Sequence, residues 1–334
     1  MKPRILIAGG SGFIGRALLP ALSAAGYEPV VLTTGDGVDV IGKGGDREDR
    51  GGEGDGGFKS LSRVTWDGVQ TGAWAGALEG AAAIINLAGA SMDCRYTPAN
   101  QSRLTDSRLL PIRALAAACR ECATPPRVWI QAGSAGIYGD AGDVWCSEAS
   151  PQGDGFPAEL ARRVEAEFFG AELPGIRRVL FRFGFVFGRH GGALPEYVRL
   201  VRRGFGSAAG SGRQWVSWLH EEDLRRVILR TLRDNTMQGL YNACAPEPVT
   251  NAVLMRTLRA TLGWPALPGV PAGVVKFVAW IMDREPSLAL EGRRVRPAAL
   301  LRAGCAFAFP NLAPALRDLL AAEAAPLPPQ PAIP

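Results

Sequence analysis

The sequence has little of what several classes of protein require. It has two histidines, and its six cysteines are scattered, so neither a histidine-rich metal site nor a disulfide framework is expected. Cys119 and Cys122 have metal-like spacing, but there is no second pair, and we interpret them as ordinary thiols of a reducing compartment. No apolar run reaches the roughly 20 residues that cross a bilayer. The longest, residues 270–282, carries Lys276 and predicts a buried helix.

Strong charge of one sign is also missing. The chain has 37 basic and 32 acidic residues, a net charge of +5, and the two signs are interleaved. This excess is too small to indicate a nucleic-acid partner.

The N-terminus passes from Arg4 directly into the apolar run Ile5-Leu6-Ile7-Ala8, so we expect no secretion signal. We expect a protein of the cytoplasm or an organelle lumen that binds neither membrane nor nucleic acid; a homodimer is left open.

What the chain does have is the composition of a soluble globular protein. Its 334 residues are 47% apolar and 21% charged, enough for a sizeable core and about two domains. In residues 1–240, short β-like runs alternate with helical stretches, which predicts an α/β Rossmann fold: a doubly wound parallel sheet with helices on both faces. Residues 35–60 read as a mobile Gly/Asp-rich insertion. Residues 241–321 predict a small, mainly helical C-terminal lobe, and residues 322–334 a flexible tail.

A glycine-rich turn lies between the first predicted strand, residues 4–8, and the first predicted helix, residues 13–25. Gly9, Gly12 and Gly15 have the spacing G-x-x-G-x-x-G. The first glycine permits a tight turn, the second lets the backbone approach a pyrophosphate, and the third lets the helix pack close to the strand. The helix N-terminus offers free N–H groups to phosphates. The turn therefore predicts a dinucleotide site, with a purely structural turn as the alternative.

The end of the second predicted strand bears on which dinucleotide is bound. An acidic residue there favours NAD, and an arginine favours NADP. This chain has Thr33 and Thr34, whose hydroxyls can accommodate a 2′-phosphate but supply no charge; Lys43, Arg47 or Arg50 could supply it. We expect NADP as the cofactor, with NAD less favoured.

The segments after the first, fourth and fifth predicted strands resemble those of the extended short-chain dehydrogenase/reductases. These segments are the glycine turn, Asn86-Leu87-Ala88-Gly89, and Gly133-Ser134-Ala135-Gly136-Ile137-Tyr138-Gly139-Asp140. More narrowly, the chain resembles an atypical branch of the NAD-dependent epimerase/dehydratase superfamily, whose members are called nucleoside-diphosphate-sugar epimerase-like or cell-division-inhibitor-like and end in a domain of unassigned function. The residues that carry this narrower likeness are Asp106-Ser107-Arg108, the blocks 210–215 and 218–223, and the C-terminal stretch 293–310.

The resemblance implies that the cofactor lies along the ends of these strands. The predicted cofactor-binding residues are Gly9, Ser11, Gly12, Phe13, Ile14, Gly15, Thr33, Thr34, Leu87, Ala88, Gly89 and Arg108. For Arg108, on the long second helix, the alternatives are a phosphate, a substrate carboxylate, or pairing with a neighbouring Glu or Asp.

One departure from the superfamily concerns its catalytic Tyr-x-x-x-Lys pair. Counting back from Glu165, the tyrosine position falls at Pro157 and the lysine position at Ala161, and neither can donate a proton. The atypical branch also tends to lack this pair. Because a positioned general acid or base contributes about 10²–10⁴-fold, conventional epimerisation or carbonyl reduction would be slow unless another group substitutes.

Two residues are the predicted catalytic candidates. Ser134 follows the fifth strand at the carboxyl edge of the sheet, where it could hold a substrate carbonyl; a turn-capping serine is the alternative. Tyr138 could donate the proton in place of the missing tyrosine, although a packed loop aromatic is the competing interpretation. Asp140 and Glu148 could act as bases, but we interpret both as solvated loop acids.

The block around residues 213–223 offers weaker candidates. Arg213 and Gln214 follow a glycine-rich turn and could face the substrate cleft. His220 and Asp223 sit at a helix start, where capping explains them without chemistry. Trp215 and Trp218 are interpreted as core residues.

Two functions from different classes fit these observations. The first is an NADP-dependent oxidoreductase or epimerase-like enzyme acting on a small carbonyl or hydroxyl substrate. The second is a cofactor-binding scaffold or redox sensor with little or no catalysis. The retained Ser134 favours the first, and the missing Tyr/Lys pair favours the second.

Overall fold

The computed structural model describes residues 2–34, 62–265 and 267–321. In chain order, its strands are β1 Arg4–Ala8, β2 Glu28–Thr33, β3 Ser62–Thr65, β4 Ala83–Asn86, β5 Val128–Ser134, β6 Trp145–Cys146, β7 Arg177–Phe183, β8 Phe185–Gly188, β9 Gly191–Gly192, β10 Trp215–Val216, β11 Trp218–His220, β12 Gly239–Ala243, β13 Val249–Thr250 and β14 Arg294–Val295. Its helices are α1 Phe13–Ala24, α2 Pro98–Glu121, α3 Phe156–Gly170, α4 Leu194–Arg202, α5 Glu221–Arg233, α6 Asn251–Thr261, α7 Ala272–Ile281, α8 Ser287–Leu290, α9 Ala298–Arg302 and α10 Leu312–Leu320. The predicted insertion and tail lie outside the described residues.

The central sheet positions the site. Seven strands of the described chain run parallel in the order β3-β2-β1-β4-β5-β7-β12. The chain moves outward from β1 to β3 and then crosses to β4 on the other side of β1. Ala8 at the end of β1 pairs with Asn86 at the end of β4, so the segments leaving these strands start side by side. This reversal opens a crevice at the carboxyl ends of the strands, where ligands bind in such sheets.

Helices cover both faces of the sheet. Successive residues of a strand point to opposite faces: Leu6 packs in a core with α2 and α3, whereas Ile5 and Ile7 pack in a second core with α1, α5 and α9. All three side chains are fully buried. The predicted α/β Rossmann architecture is confirmed.

The second lobe draws on more of the chain than its C-terminal part. Its core combines α4, α6 and α10 with Phe187 of β8 and Trp218 of β11. In the other direction, β12 is a strand of the central sheet and α9 packs against it. The predicted division at residue 240 therefore falls inside a strand. The sequence could not show this, because pairing of β12 with β7 joins residues about 60 positions apart.

The apolar run at residues 270–282 corrects the sequence prediction of a buried helix. It does form α7, but none of its residues is buried; Phe277 and Trp280 are 60% and 63% exposed. Apolar composition on all sides of a helix predicts burial, yet nothing in the described part of the chain covers this one. Within that part, no helix combines the length and apolar character needed to cross a membrane.

The cysteines behave as separate thiols. All six are free in the structure. Burial raises the pKa of Cys119 to about 12, so its thiol keeps its proton at neutral pH. This fits the interpretation of Cys119 as an ordinary buried thiol.

Candidate functional site

The glycine turn is held against the segment that leaves β4. Gly9 has a φ of +74°, a conformation that residues with a side chain rarely adopt. A methyl group there would lie 2.7 Å from the carbonyl carbon of Leu87 and 2.9 Å from the amide nitrogen of Ala88. A methyl group at Gly15 would lie 2.5 Å from the Cα of Gly10. Glycine at position 9 lets the turn contact the backbone of the segment after β4, and glycine at position 15 lets α1 contact the backbone of the turn.

The N-terminus of α1 opens into the crevice. Gly12 is the cap residue, and no side chain of the described chain caps the first turn of the helix. The amide of Gly12 donates to the carbonyl of Gly9 at 3.1 Å, whereas the first-turn amides that follow lack intrahelical acceptors. Ser11 and Gly12 are exposed. Such a terminus is suited to bind an anion.

The side chains of this turn have other surroundings. The ring of Phe13 packs against the hairpin of β8 and β9, where a methyl group at Gly191 would lie 2.7 Å from the ring carbon Cγ. Ile14 is half-buried against the core that contains α1. Any contact of Phe13 and Ile14 with a phosphate would therefore be made by their backbone amides.

The segment after β4 is shaped by a buried polar pair that the sequence reasoning did not single out. Asn86 donates through Nδ2 to Gln131 Oε1 at 2.9 Å, and its Oδ1 accepts from the amide of Ala88 at 3.1 Å. The amide of Leu87 donates to the carbonyl of Ala8. These bonds fix Leu87 and Ala88 beside the glycine turn, and Gly89 follows as an exposed residue. At the end of β2, on the other side of β1, Thr33 and Thr34 are half-buried. Lys43, Arg47 and Arg50 lie outside the described residues.

Arg108 packs over the same segment. Its Nη2 donates to the carbonyl of Ala90 at 2.8 Å and its Nη1 to the carbonyl of Leu104 at 2.9 Å. A methyl group at Gly89 would lie 3.2 Å from the guanidinium carbon. Within the described residues no carboxylate pairs with this guanidinium, and burial lowers its pKa to about 10. The alternative of a structural pair with a neighbouring acid is therefore wrong for the described part of the chain.

Ser134 ends β5 and is exposed at the carboxyl edge. Its Oγ accepts a hydrogen bond from the amide of Gly136 at 3.0 Å, so it caps the 3₁₀ turn Ala135–Tyr138. Because the hydroxyl acts there as an acceptor, its own hydrogen remains available to an oxygen in the crevice. Capping and substrate contact are compatible for this residue.

Tyr138 has a different environment. Its hydroxyl accepts from Arg182 Nη1 at 2.8 Å and lies 2.7 Å from Asn242 Oδ1 and 2.9 Å from the carbonyl of Ser147. Arg182 in turn forms a buried two-pronged ion pair with Glu165. The side chain of Tyr138 is buried and burial raises its pKa to about 12. The geometry favours the packed aromatic over the proton donor.

The two positions assigned to the Tyr/Lys pair carry no group that transfers a proton. A methyl group at Gly136 would lie 3.5 Å from Pro157 Cβ, so position 157 faces the turn next to Ser134. Ala161 is buried in an apolar cluster with Ile137 and Val295. The structure thus places position 157 beside the candidate serine and position 161 against the 3₁₀ turn that follows it.

Glu148 corrects the interpretation as a solvated acid. Its Oε1 accepts from the amides of Asn242 and Ala299, at 2.9 and 3.1 Å, and its Oε2 is buried without a hydrogen-bond partner in the described structure. Glu148 therefore ties β12 to the start of α9. Asp140 is exposed and accepts from the amide of Gly292 at 3.1 Å.

The block 213–223 is largely structural. His220 Nδ1 caps α5 by accepting from the amide of Glu222, and Asp223 accepts from the amides of Ala308 and Phe309. Gln214 donates to the carbonyls of Ala209 and Ala289. The remaining members of the block are Arg213, which is exposed and pairs with Asp143, Trp218, which is core, and Trp215, which is half-buried rather than core.

The glycine turn of Gly9, Gly12 and Gly15 forms a cradle against the segment after β4. Together with the doubly wound sheet and the uncapped N-terminus of α1, this glycine cradle defines a Rossmann protein of the dinucleotide-binding class. Comparison with known proteins agrees. Residues 5–244 match the model of the NAD dependent epimerase/dehydratase family, and residues 270–319 match a domain of unknown function, DUF1731. The chain belongs to the NAD dependent epimerase/dehydratase family.

Relatives match over almost the whole chain. Epimerase family protein SDR39U1 of Bos taurus is 33% identical, covering 95% of this chain and 100% of its own length. Epimerase family protein YfhF of Bacillus subtilis is 29% identical, covering 95% and 98%. The crystal structure of human SDR39U1 (isoform 2) with NADPH has a TM-score of 0.79 at 31% identity, covering 95% of this chain and 98% of that one.

The cradle allows a paired test with glycine substitutions. Gly9→Ala should weaken NADPH binding by about tenfold or more, because the methyl group would push the turn away from Leu87 and Ala88. Gly26→Ala is the control: Gly26 also has a positive φ, of +88°, but no atom lies within 4 Å of an added methyl group. Gly26→Ala should lose roughly 1 kcal/mol of folding free energy through its positive φ alone, and Gly9→Ala should lose more, because the backbone clash adds to the same strain. Isothermal calorimetry with NADPH would contradict the cradle if both variants bound equally well.

A second test concerns Tyr138. Tyr138→Phe should lower the free energy of unfolding by about 1–3 kcal/mol, because Arg182 Nη1 and Asn242 Oδ1 would be left buried without their partner, while NADPH affinity stays unchanged. Urea unfolding measures the first quantity and calorimetry the second. Tyr27→Phe, at a half-buried tyrosine, should change neither. Unchanged stability of the Tyr138 variant would show that its network is not structural.

Proposed function

We propose that the protein is an NADP(H)-dependent oxidoreductase or epimerase-like enzyme acting on a small carbonyl or hydroxyl substrate. The observation that carries this proposal is the position of the Ser134 hydroxyl at the carboxyl end of β5, two strands from the glycine cradle at the end of β1. Two strand spacings are about 10 Å, a distance that a dinucleotide extended along the crevice can span. The cradle and the free N-terminus of α1 would thus bind the cofactor, and Ser134 would bind a substrate next to it.

The residues of the chain divide the work as follows. The amides at the start of α1 would hold the cofactor diphosphate, and Leu87 to Gly89 would lie along the cofactor. When bound, NADP(H) supplies or accepts a hydride at the nicotinamide ring. Ser134 would donate its hydroxyl hydrogen to the substrate oxygen and hold that oxygen in place. Arg108, which lies over Gly89, would add positive charge next to the cofactor.

The preference for NADP over NAD is supported by the end of β2. Thr33 and Thr34 stand there instead of an acidic residue that would repel a 2′-phosphate. Arg16 adds a cation that sequence reasoning missed: its Nη1 donates to the carbonyl of Ser11 at 2.8 Å, which keeps an exposed guanidinium beside the turn. The human relative was crystallised with NADPH, which fits this preference.

A cofactor-binding scaffold or redox sensor is the second candidate. Two observations favour it: the hydroxyl of Tyr138 is committed to Arg182 and Asn242, and Pro157 and Ala161 carry no acidic proton. In either case we place the protein in a reducing compartment, the cytoplasm or an organelle lumen, because its six cysteines are unpaired.

A turnover screen separates the two functions. Oxidation of NADPH is followed at 340 nm with a panel of small aldehydes, ketones and oxo acids. The enzyme is expected to turn over at least one of them, and Ser134→Ala should reduce kcat by roughly 10²-fold with NADPH affinity retained. Ser102→Ala, at an exposed serine of α2, is the control. Tight NADPH binding without turnover across the panel would exclude a net reductase. It would favour the sensor over the epimerase-like enzyme only if the protein, loaded with NADP⁺, also failed to catalyse exchange or inversion at the carbinol carbon of the matching hydroxyl compounds, because an epimerase returns the hydride and gives no net change at 340 nm.

A further inference from the structure

Arg293 belongs to the C-terminal domain, residues 270–319. Hydrogen bonds hold the backbone of its segment in place. Its amide donates to the carbonyl of Trp215 at 3.2 Å, and its carbonyl accepts from Ser217 Oγ at 2.8 Å. The preceding Gly292 donates to Asp140 Oδ1 and accepts from the amide of Ala141. A methyl group at Gly292 would lie 2.7 Å from the carbonyl oxygen of Trp215. The backbone around Arg293 is therefore fixed before any ligand arrives.

Neighbouring arginines on this segment have different surroundings. Arg294 is stacked between two aromatic rings, 3.9 Å from the centroid of Trp145 and 4.1 Å from that of Trp215. Arg293 instead reaches the turn after β5. A methyl group at Gly136 would lie 2.9 Å from Ser134 Oγ and 3.4 Å from Arg293 Nη1. The guanidinium of Arg293 and the candidate serine thus border the same small volume.

The guanidinium of Arg293 has no partner of its own. Within the described residues it forms no ion pair within 4 Å and no hydrogen bond. Burial lowers its pKa, and the more distant carboxylates of Glu291 and Asp140 offset part of that effect. An arginine remains charged at neutral pH nonetheless. Arg293 is half-buried, and a cation that loses part of its hydration without gaining a hydrogen-bonded anion is destabilised. This position therefore favours a ligand that brings the anion.

Tyr96 supplies a second unsatisfied donor nearby. Its hydroxyl is buried and has no hydrogen-bond partner in the described structure. Its ring packs 5.0 Å from that of Phe156, the residue before Pro157, which borders the same volume at Gly136. Burial raises the pKa of Tyr96, the carboxylate of Glu285 raises it further, and Arg108 and Arg293 lower it in part. The hydroxyl therefore keeps its proton and can only be satisfied by an acceptor.

The loop that carries Tyr96 is tied to the same C-terminal domain. The amide of Arg95 donates to the carbonyl of Asp283 at 3.0 Å, and Arg284 pairs with Asp93 at 2.7 Å. The domain of unknown function thus both supplies Arg293 and holds Tyr96 in place.

We propose that Arg293 and Tyr96 form an oxyanion-binding site beside Ser134, and that the substrate is a small carbonyl or hydroxyl compound carrying a carboxylate or phosphate group. The planar guanidinium suits either group, since both accept two parallel N–H bonds. The phenol adds a neutral donor, and Ser134 is left for the reacting oxygen. This inference rests on the proposed function, because it assigns the substrate class of the same site.

The test uses two pairs of probes, each consisting of a charged compound and a neutral counterpart. Binding of succinate, succinamide, glycerol 3-phosphate and glycerol to the full chain saturated with NADP⁺ is measured by calorimetry, together with the shift in Tm. The charged probes should bind and raise Tm, and the neutral ones should not. Succinate binding alone identifies a carboxylate substrate, and glycerol 3-phosphate binding alone identifies a phosphate substrate.

Variants assign the binding to the two residues. Arg293→Gln should weaken the preferred anion at least about tenfold, and Arg293→Lys should fall between it and the parent. Tyr96→Phe should weaken it roughly threefold to tenfold, with Tm of the free protein unchanged or raised, because the deleted hydroxyl has no partner. Arg296→Gln, at an exposed arginine on the same segment, is the matched control. NADPH affinity should be unchanged in all four.

Three results would overturn the site: neutral and charged probes binding alike, Arg293→Gln binding as the parent does, or Tyr96→Phe losing Tm without losing anion affinity. Failure of the proposed function looks different. If NADPH does not bind but the charged probe still raises Tm of the free protein in an Arg293-dependent manner, the oxyanion site stands and the oxidoreductase proposal falls.

Discussion

The backbone contact between the turn after β1 and the segment after β4 is the constraint on which the rest depends. Parallel pairing sets Ala8 beside Asn86, and the missing side chain of Gly9 lets the turn reach the backbone of Leu87 and Ala88. With any side chain at Gly9 the crevice would widen at its floor. The buried bond between Asn86 and Gln131 holds the other side of this contact, so the crevice is pre-formed by the fold rather than by a ligand.

The C-terminal domain completes a site that the Rossmann domain begins. The Rossmann domain supplies the cradle and Ser134, whereas Pro157 and Ala161 occupy the positions to which the sequence resemblance assigns the Tyr/Lys pair. Into the space beside Ser134 the C-terminal domain places Arg293, on a backbone fixed by Gly292 and Ser217. An arginine cannot replace a tyrosine as a proton donor, but it can hold a charged substrate. Under the proposed function, the side chain next to Ser134 therefore binds the substrate and does not transfer a proton.

Local signals in the sequence were enough for the sheet, the turn and the serine. The apolar run before Gly9 and the helical pattern after Gly12 predict β1 and α1, because each depends on residues close in the chain. The roles of Glu148 and Arg293 could not be predicted this way: Glu148 binds Asn242 and Ala299, and Arg293 meets Gly136, all more than 90 positions away. No sequence pattern pointed to Tyr96, because the absence of a partner for its hydroxyl becomes visible only once the chain is folded.

A crystal structure of the protein with NADP⁺ bound tests the central claim most directly. The account predicts diphosphate oxygens within hydrogen-bond distance of the amides at the start of α1, and the nicotinamide ring next to Ser134. A diphosphate that makes no contact with those amides, or a nicotinamide ring lying away from the end of β5, would contradict it.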